Sequence, residues 1–254
     1  MKVRILGSGT SSGVPRIGND WGACDPAEPR NRRTRAAILV EHNGTRILVD
    51  TGPDMRAQLL AAEVGAVDAI IWTHSHADHT NGIDDVRQIF HALGHAVPGY
   101  ARAETFQVLT AQFAYVFEGR GGYPATVERR ALLDHQRIGG IDVGVVDQPH
   151  GRISSSGLRF EVGGVRVGYA TDFHDLTPAM RALYSNLDLW IIDALRKQPH
   201  PSHPTLDAAL GWIAELGPKR SALVHMDQSM DYATLCATLP AGVEPGYDGL
   251  EYHL

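Results

Sequence analysis

The sequence has little cysteine, no long apolar run and no excess of basic charge. Two cysteines, Cys24 and Cys236, cannot build a disulfide framework, so we expect a reducing cytoplasm as the location. No stretch approaches the ~20 apolar residues of a membrane span, and the first residues lack the apolar run of a signal peptide. A net charge of -6 gives no general attraction for nucleic acid, so neither a membrane nor a nucleic acid is an expected partner.

The sequence contains many histidines, and its apolar content is sufficient for a hydrophobic core. Hydrophobic residues make up 43% and charged residues 20%, a balance typical of a globular chain rather than a disordered one. The pattern predicts a single domain over residues 1–254 and leaves both a monomer and a homodimer open. There are 13 histidines against 23 lysines and arginines, which favours a metal site or acid-base catalysis over scattered surface histidines.

Short apolar segments alternate with helical patterns along the chain. Residues 3–6 and 69–72 have the pattern of buried strands, and Asn43-Gly44 predicts a hairpin between strands 37–41 and 46–50. Helical patterns cover residues 83–93 and 104–117, and the second half again places strands before helices. This order predicts an α/β fold in which sheets are sandwiched between helices.

The most informative segment is His74-Ser75-His76-Ala77-Asp78-His79, which directly follows a predicted strand. Side chains two apart on an extended chain point the same way, so His74 and His76 can share one ion. Asp78 and His79 lie beyond the strand and can turn toward a second ion. Imidazole and carboxylate together suit a divalent metal such as Zn, Mn or Fe. The alternatives are a pH-sensitive polar loop or a lone structural metal.

This segment resembles the metal motif of the metallo-β-lactamase superfamily, and the resemblance extends over nearly the whole chain. It implies an αββα sandwich that holds one or two metals where the edges of the two sheets meet. The family expects an early Asp, a lone His, a lone Asp and a late His, and matching residues here each come after a predicted strand. They are Asp50, His150, Asp172 and His225.

The resemblance also implies how these residues divide between two divalent ions, of which Mn or Zn are expected. One ion would be bound by His74, His76 and His150, and the other by Asp78, His79 and His225. Asp172 would bridge the two ions. Asp50 would orient a ligand histidine or the loop, although it can also be read as an ordinary turn residue at a strand end.

Two divalent ions ~3.5–4 Å apart make hydrolysis the expected chemistry, because they supply a hydroxide at neutral pH and neutralise growing charge on a phosphoryl or carbonyl oxygen. Asp78 is therefore also counted as catalytic. Three segments resemble the PhnP-like phosphodiesterase branch of the superfamily: Gly7-Ser8-Gly9-Thr10, Asp84-Asp85-Val86-Arg87 and the end of the chain from Gly246 to Glu251. The branch implies a small cyclic phosphate or a nucleotide-like phosphodiester as substrate.

In that branch a histidine before a late helix serves the leaving oxygen, and His203 in Ser202-His203-Pro204 matches its position. His203 is thus the candidate general acid, with His200 as the nearby competitor. Either can instead be an ordinary loop histidine. Arg87 can contact a substrate phosphate or form a helix salt bridge with Asp84.

The chain departs from PhnP-type enzymes in one respect. Those enzymes carry a structural zinc bound by clustered cysteines and a histidine, whereas this chain has only Cys24 in the corresponding loop and Gln228 three residues after His225. We therefore predict no structural zinc.

The pairs Arg32-Arg33 and Arg129-Arg130 are expected on the solvated surface.

Other activities of the superfamily remain open. A tRNA 3′-processing enzyme would need a basic arm to grip its substrate, and no basic insertion of that kind is visible. Hydrolysis of a lactone or thioester is compatible with the same metal core. A non-enzymatic metal-binding or carrier protein, of the kind linked to pyrroloquinoline quinone biosynthesis, is expected to have lost metal ligands, whereas all seven stand in place here.

Overall fold

Two seven-stranded sheets form the centre of the fold in a computed structural model that describes residues 1–254. The strands of the first sheet are, in spatial order, β14 (Glu251–His253), β1 (Lys2–Gly7), β2 (Ala37–His42), β3 (Thr45–Val49), β4 (Ala69–Ile71), β5 (Val97–Ala101) and β6 (Val127–Ala131). Those of the second are β13 (Val243–Pro245), β12 (Arg220–Val224), β11 (Leu189–Asp193), β10 (Val165–Ala170), β9 (Ile153–Val162), β8 (Ile141–His150) and β7 (His135–Ile138).

Helices cover the outer face of each sheet. They are α1 (Met55–Ala61), α2 (Ala77–Thr80), α3 (Val86–Leu93), α4 (Ala103–Glu118), α5 (Pro178–Leu183), α6 (Leu206–Leu216) and α7 (Tyr232–Thr238), with 3-10 turns at Pro29–Asn31 and Ile83–Asp85. No helix in the chain combines the length and apolar character needed to cross a membrane.

The alternation of side chains along the strands separates three apolar cores. Ile38 and Val40 face Leu158 and Phe160 in a cluster of 23 buried residues between the sheets. The opposite face of the first sheet packs against α1, α3 and α4, and that of the second packs against α5, α6 and α7. The αββα sandwich expected from the sequence is therefore confirmed.

The parallel strands position the polar side chains. Strands β3 and β4 are parallel, as are β10, β11 and β12, so their carboxyl ends lie at the same edge of each sheet. Open α/β sheets bind ligands at the carboxyl ends of their strands. At this edge the backbone N–H of Ser156 on β9 donates to the carbonyl of Thr73, just after β4, at 2.8 Å. This hydrogen bond joins the two sheets beside the polar cluster.

Two sequence interpretations are wrong in detail. The sequence predicts that His150 comes after a strand, but β8 continues to His150, which is its last residue rather than a loop residue. Arg33 is expected on the surface, but it is 2% exposed. Its Nη2 donates to the carbonyl of Met230 at 2.6 Å and its Nη1 donates to the carbonyl of Asp227 at 3.3 Å. The side chain thus ties the segment before β2 to the loop before α7.

Candidate metal centre

The predicted ligands from both sheets converge at the common edge. His74, His76 and His150 lie with Asp172 in one group whose ligand atoms are all within 4.8 Å of one another. A second such group contains Asp78, His79 and His225. These are the two groups that the superfamily resemblance implies, and their assignment as ligands remains a prediction.

Asp172 lies between the two groups. Its Oδ1 is 3.8 Å from Nε2 of His74 and 3.6 Å from Nε2 of His150. Its Oδ2 is 3.1 Å from Nε2 of His79, and its Oδ1 is 3.5 Å from Nε2 of His225. The carboxylate thus faces ligand atoms of both groups, which is the arrangement expected of a bridging ligand.

Hydrogen bonds to Nδ1 orient three of the imidazoles so that Nε2 faces the centre. Nδ1 of His79 donates to Oδ2 of Asp50 at 2.7 Å, and Nδ1 of His150 donates to the carbonyl of Ser202 at 2.9 Å. The Thr73 hydroxyl donates to Oδ2 of Asp50 at 2.8 Å and accepts from Nδ1 of His74 at 3.0 Å. An Nε2 lone pair facing the centre is the state that a metal ligand requires.

The cluster fits divalent ions by two independent observations. Nε2 of His74, Nε2 of His79 and both ring nitrogens of His225 are buried without a hydrogen-bond partner, which is costly unless a ligand satisfies them. Donor atoms at 2.0–2.2 Å from a tetrahedral ion are about 3.4 Å apart. The distances here are 3.2 Å between Nδ1 of His76 and Nε2 of His150, and 3.3 Å between Nε2 of His79 and Oδ2 of Asp78.

Three residues of the cluster have left-handed backbone conformations. The φ angles are 66° at Asp50, 57° at Asp172 and 58° at His225, each at a turn just beyond a strand. Such a conformation is unfavourable for a residue other than glycine and costs on the order of 1–3 kcal/mol. Strain of this kind collects at functional sites, and here it turns each side chain from its strand end toward the centre.

The charges of the cluster keep the carboxylate of Asp172 ionised. Burial alone would raise the pKa of Asp172, but the imidazoles of His225 and His79 hold it well below its usual range. Burial alone would lower the pKa of His225, but the carboxylates of Asp172 and Asp193 raise it to about 9. For His150 burial prevails and lowers the pKa to about 4. Metal binding needs ionised carboxylates, and Asp172 meets that condition at neutral pH.

His203 lies against this cluster. Its ring stacks on that of His225 with centroids 4.7 Å apart and an interplanar angle of 11°, and its Nε2 is 3.8 Å from Oδ1 of Asp172. Nδ1 of His203 donates to Oδ2 of Asp193 at 2.8 Å. Asp193 was missed by the sequence analysis. The available signal was its position at the end of an apolar strand, which it shares with Asp50 and Asp172.

The two residues proposed to contact substrate lie differently. His200 lies next to His203, with ring centroids 5.0 Å apart, but it makes no contact with Asp172 within 4 Å. Arg87 is exposed and lines a separate cavity of about 240 Å³. Its alternative salt bridge with Asp84 is not formed, and Oδ1 of Asp84 accepts from the Tyr115 hydroxyl at 3.1 Å. Substrate contact by either residue stays a prediction.

The loop that holds a structural zinc in PhnP-type enzymes is organised here around Arg33. The Sγ atom of Cys24 is buried and lies 3.8 Å from Nη1 of Arg33, while Nη2 of Arg33 donates to Oδ1 of Asn31 at 3.3 Å. Gln228 packs against Gly22 on the same segment, and its carbonyl accepts from the N–H of Ala23 at 2.9 Å. The absence of a structural zinc stays a prediction.

Comparison with known proteins agrees with this geometry. A family model described as a beta-lactamase superfamily domain matches residues 45–226. The chain is 32% identical over 259 residues to an octanoyltransferase of Porphyromonas gingivalis, covering 99% of this chain and 51% of that protein. It is 33% identical over 147 residues to a ribonuclease Z of Bradyrhizobium diazoefficiens, covering 52% of this chain and 46% of that protein. The chain thus spans about half the length of the curated relatives it matches.

Solved structures extend the comparison to the whole fold. The chain is similar to a diphosphatase of the PhnP family, with a TM-score of 0.91 and 35% identity over 100% of this chain and 97% of that one. It also resembles the Zn²⁺-bound PqqB from Methylobacterium extorquens, with a TM-score of 0.80 over 100% of both chains. The 19% identity of that second pair supports only a common fold.

The two-sheet fold, its edge cluster of histidines and aspartates and the matching family model show that the chain belongs to the metallo-β-lactamase superfamily. Within the superfamily it is PhnP-like. The predicted family is therefore confirmed, and the structure brings together His and Asp groups that could hold metal ions.

Proposed function

We propose that the protein is a dinuclear metal-dependent phosphodiesterase that hydrolyses a small cyclic phosphate or a nucleotide-like phosphodiester. The observation that carries this proposal is the imidazole of His203, which lies beside the metal cluster and is held from behind by Asp193 at 2.8 Å. The leaving group of a phosphodiester departs as an alkoxide unless it is protonated, and a positioned imidazole can supply the proton.

The chain's own residues would hold the two ions and orient them toward substrate. His74, His76 and His150 would bind one ion, Asp78, His79 and His225 the other, and Asp172 both. When bound, such ions supply Lewis-acid activation of water and of the phosphoryl oxygens, and Mn and Zn are the expected metals. Asp50 would act indirectly, because its carboxylate fixes the rings of His79 and, through Thr73, of His74.

His203 would move one proton in the reaction. Water adds its oxygen to phosphorus and loses one proton to solvent, the bond from phosphorus to the leaving oxygen breaks, and Nε2 of protonated His203 gives its proton to that oxygen. His203 then takes up a proton from solvent. Asp193 accepts the Nδ1–H of the same ring, so it would keep Nε2 aimed at the centre and stabilise the imidazolium before transfer. Asp78 would contribute as a ligand at the same centre. His200 is farther from Asp172 and remains the competitor for the role of acid.

The similarity to a PhnP-family diphosphatase supports a phosphoryl centre in a small substrate. Because that protein is a diphosphatase, phosphoric anhydrides should be assayed as well as phosphodiesters. Phosphodiesters and anhydrides share the tetrahedral phosphorus that two ions can bind. The two linkages differ in the leaving group, which is an alkoxide for a phosphodiester and a phosphate for an anhydride. The alkoxide is the stronger base, so it needs the proton from His203 more.

A second candidate is cleavage of tRNA precursors, which the 33% identity to a ribonuclease Z over 147 residues favours. Contacts to the RNA backbone dominate such binding and need a basic surface. The net charge of -6 and the lack of a basic insertion favour a small substrate instead. Cleavage of a tRNA precursor with an affinity that falls steeply with salt would support this second candidate.

The proposal is tested by hydrolysis of bis-(p-nitrophenyl) phosphate by protein loaded with Mn or Zn. Asp172→Ala and Asp78→Ala should abolish turnover, whereas Asp142→Ala, an exposed position at the far end of β8, should keep it. A folded, metal-replete protein that cleaves neither phosphodiesters nor diphosphates contradicts the proposal. If the same sample cleaves a lactone or a thioester, a carbonyl hydrolase is indicated, and if it binds metal without turning over any of these, a carrier is indicated.

A further inference from the structure

A chain of buried hydrogen bonds ends at the backbone of Asp172. It begins at Tyr184, just after α5, whose hydroxyl donates to Oε1 of Gln148 at 2.9 Å. Nε2 of Gln148 donates to Oγ of Ser155 at 3.0 Å, and Ser155 donates to the carbonyl of Asp172 at 2.7 Å. Each of the three side chains is at most 1% exposed. The chain therefore connects the helix layer of the second sheet to the candidate bridging ligand.

The amide of Gln148 has one orientation that satisfies its partners. Its second Nε2 proton is donated to the carbonyl of Thr171 at 2.9 Å. The reverse orientation would set Oε1 against this carbonyl oxygen, and neither oxygen is a donor. A Cβ at Gly157 on β9 would overlap both Oε1 of Gln148 and the hydroxyl of Tyr184, so a glycine leaves the space that the chain occupies. The amide is therefore fixed in position and in direction.

Stability alone does not explain why this chain is polar. Tyr184 belongs to the apolar cluster beneath α5, α6 and α7, and its ring centroid is 5.3 Å from that of Trp190. A buried hydrogen bond contributes only ~1 kcal/mol net, and an apolar replacement of both partners can be neutral. What the amide and hydroxyl supply, and apolar groups would not, is a donor to two successive carbonyls at the end of β10.

The turn at Asp172 is fixed by side chains on every side. Its φ of 57° is unfavourable, and such a conformation persists only where the surroundings determine it. Its backbone N–H donates to Oδ2 of Asp193 at 3.0 Å, and its carbonyl accepts from Ser155. Its own Oδ2 accepts from the Thr171 hydroxyl at 2.6 Å. The direction of the Asp172 carboxylate is thus set by buried polar groups.

Gln148 also lies on the strand that carries another candidate ligand. It comes two residues before His150 on β8, so the two side chains are on the same face of the strand. Its Nε2 reaches across to the carbonyl of Thr171, directly before Asp172. His150 and Asp172 belong to the same group of candidate ligands. One amide therefore holds together the end of β8 and the turn after β10.

We propose that Gln148 is a positioning residue of the metal centre, which acts through Ser155 and the carbonyl of Thr171 to hold Asp172 where its carboxylate can serve two ions. The inference rests on the proposed function for the two ions and for Asp172 as their bridge. It adds that binding of the second ion depends on Gln148, because a loose turn would let the first ion draw the carboxylate to itself. Gln148 contacts neither the ions nor the substrate.

The test is a matched pair of glutamine variants. Gln148→Met keeps the length of the side chain and removes its donors and its acceptor. Gln58→Met is the control, because Gln58 on α1 is also buried and its Nε2 makes similar hydrogen bonds of 2.8 Å to Thr34 and 2.9 Å to the carbonyl of Arg35. Both variants should lose a similar number of degrees in melting temperature, since each loses two buried donors.

Metal binding should distinguish the two variants. Metal-free protein is titrated with Mn²⁺ and, separately, with Zn²⁺ in a calorimeter. Gln148→Met should bind the second ion about tenfold more weakly than wild type, whereas Gln58→Met should bind it equally well. At two Mn²⁺ per chain, the electron paramagnetic resonance spectrum of the wild type should be that of a coupled pair. The spectrum of Gln148→Met should contain more of the six-line signal of isolated Mn²⁺.

A smaller change keeps the inference testable if Gln148→Met fails to fold. Ser155→Ala removes only the hydroxyl that donates to Asp172 and leaves both donors of Gln148 in place. It should weaken binding of the second ion in the same direction and by a smaller factor. In both variants excess metal should restore hydrolysis of bis-(p-nitrophenyl) phosphate, because no ligand has been removed.

The outcomes separate this inference from the proposed function. Equal binding of the second ion by Gln148→Met, or by Ser155→Ala, and by Gln58→Met would overturn the positioning role. Weaker binding of the second ion, in a protein whose wild type hydrolyses no phosphodiester or diphosphate, would overturn the proposed function and keep the role. Hydrolysis by wild type with unchanged metal binding in the variants would overturn the role and support the function. A wild type that binds fewer than two ions of either metal would overturn both.

Discussion

The carboxylate of Asp193 accepts the Nδ1–H of His203 at 2.8 Å, at the end of a strand whose other side chains are apolar. The same oxygen, Oδ2, accepts the backbone N–H of Asp172 at 3.0 Å. One buried carboxylate therefore positions both the candidate acid and the backbone of the candidate bridging ligand. Any movement of Asp193 would change the geometry between a proton donor and the metal centre.

This relationship predicts the effect of changing Asp193. Asp193→Asn keeps an acceptor for His203 but removes the charge that stabilises the imidazolium, so kcat for a cyclic nucleotide phosphodiester, whose leaving group is an alkoxide, should fall about tenfold. Asp193→Ala removes both and should lower kcat about 100-fold, with KM nearly unchanged, within the range of general-acid catalysis. Metal content, measured on the same samples, should remain that of the wild type. Asp207→Asn, an exposed position in the first turn of α6, is the control. Unchanged kcat in Asp193→Ala would contradict a role for His203.

A second prediction concerns Asp50, which orients His79 and, through Thr73, His74. Asp50→Asn should weaken metal binding 10–100-fold, because partners that orient ligand histidines contribute that much to metal affinity. Asparagine tolerates the φ of 66° at this position, so the fold should persist. The measurement is competition with a chelator of known affinity, with circular dichroism as the check on folding. Equal metal affinity in the variant and the wild type would show that Asp50 is only a turn residue.

A third prediction concerns the buried guanidinium of Arg33. Arg33→Met leaves the carbonyls of Asp227 and Met230 without their donor, and we expect a loss of ~3 kcal/mol in the free energy of unfolding. Arg32→Met is the matched control, because the adjacent Arg32 is exposed and lies over the Trp21 ring at 5.1 Å. It should cost less than ~1 kcal/mol. Urea denaturation of both variants decides the matter, and similar losses would contradict a structural role for Arg33.

A fourth prediction is a pH dependence that originates at Asp248. Burial raises the pKa of this carboxyl to about 6, although hydrogen bonds from Thr34 and Ser8 oppose the shift. A raised pKa means that the folded state binds the proton more tightly than the unfolded state, whose pKa is ~3.9. The contribution is therefore present at low pH and is lost as the pH rises through about 6.

The comparison that isolates this group is wild type against Asp248→Asn, which cannot titrate. Between pH 5 and pH 8 the folding equilibrium constant of the wild type should fall about tenfold relative to that of the variant, or ~1.4 kcal/mol. The measurement is urea denaturation at both pH values in the same buffer salt. A difference that stays constant or grows with pH would contradict the assignment to Asp248.

The sequence predicted which polar side chains come together better than it predicted the sheets. The order of the candidate ligands along the chain and the His-x-His-x-Asp-His spacing were sufficient for this, because these side chains lie at or just beyond strand ends. Strands β5 and β6 were missed, since Val97–Ala101 contains a proline and a glycine and Val127–Ala131 is mostly charged and exposed. A strand with one solvent-exposed face lacks the continuous apolar run by which a buried strand is predicted from the sequence.

The contacts of Asp193 and Arg33 could not be predicted from the sequence for a different reason. The partner of Asp193 is His203, ten residues later, and the partners of Arg33 lie almost 200 residues away. Neither residue type has a local pattern that reveals such contacts. A charged residue next to other charged residues indicates the surface by default, and only the tertiary fold shows that Arg33 is surrounded by carbonyl groups.

The division of the candidate ligands between the sheets has a consequence for assembly. The His74–His79 segment follows a strand of the first sheet, whereas His150 ends a strand of the second sheet and Asp172 and His225 follow two others, so neither half offers a complete set alone. Binding of two ions at these groups would therefore require that the halves have docked on their shared core. Bound ions would join the two halves and stabilise the docked form through mass action. The rate of metal capture by a refolding chain would then report the moment at which the two halves meet.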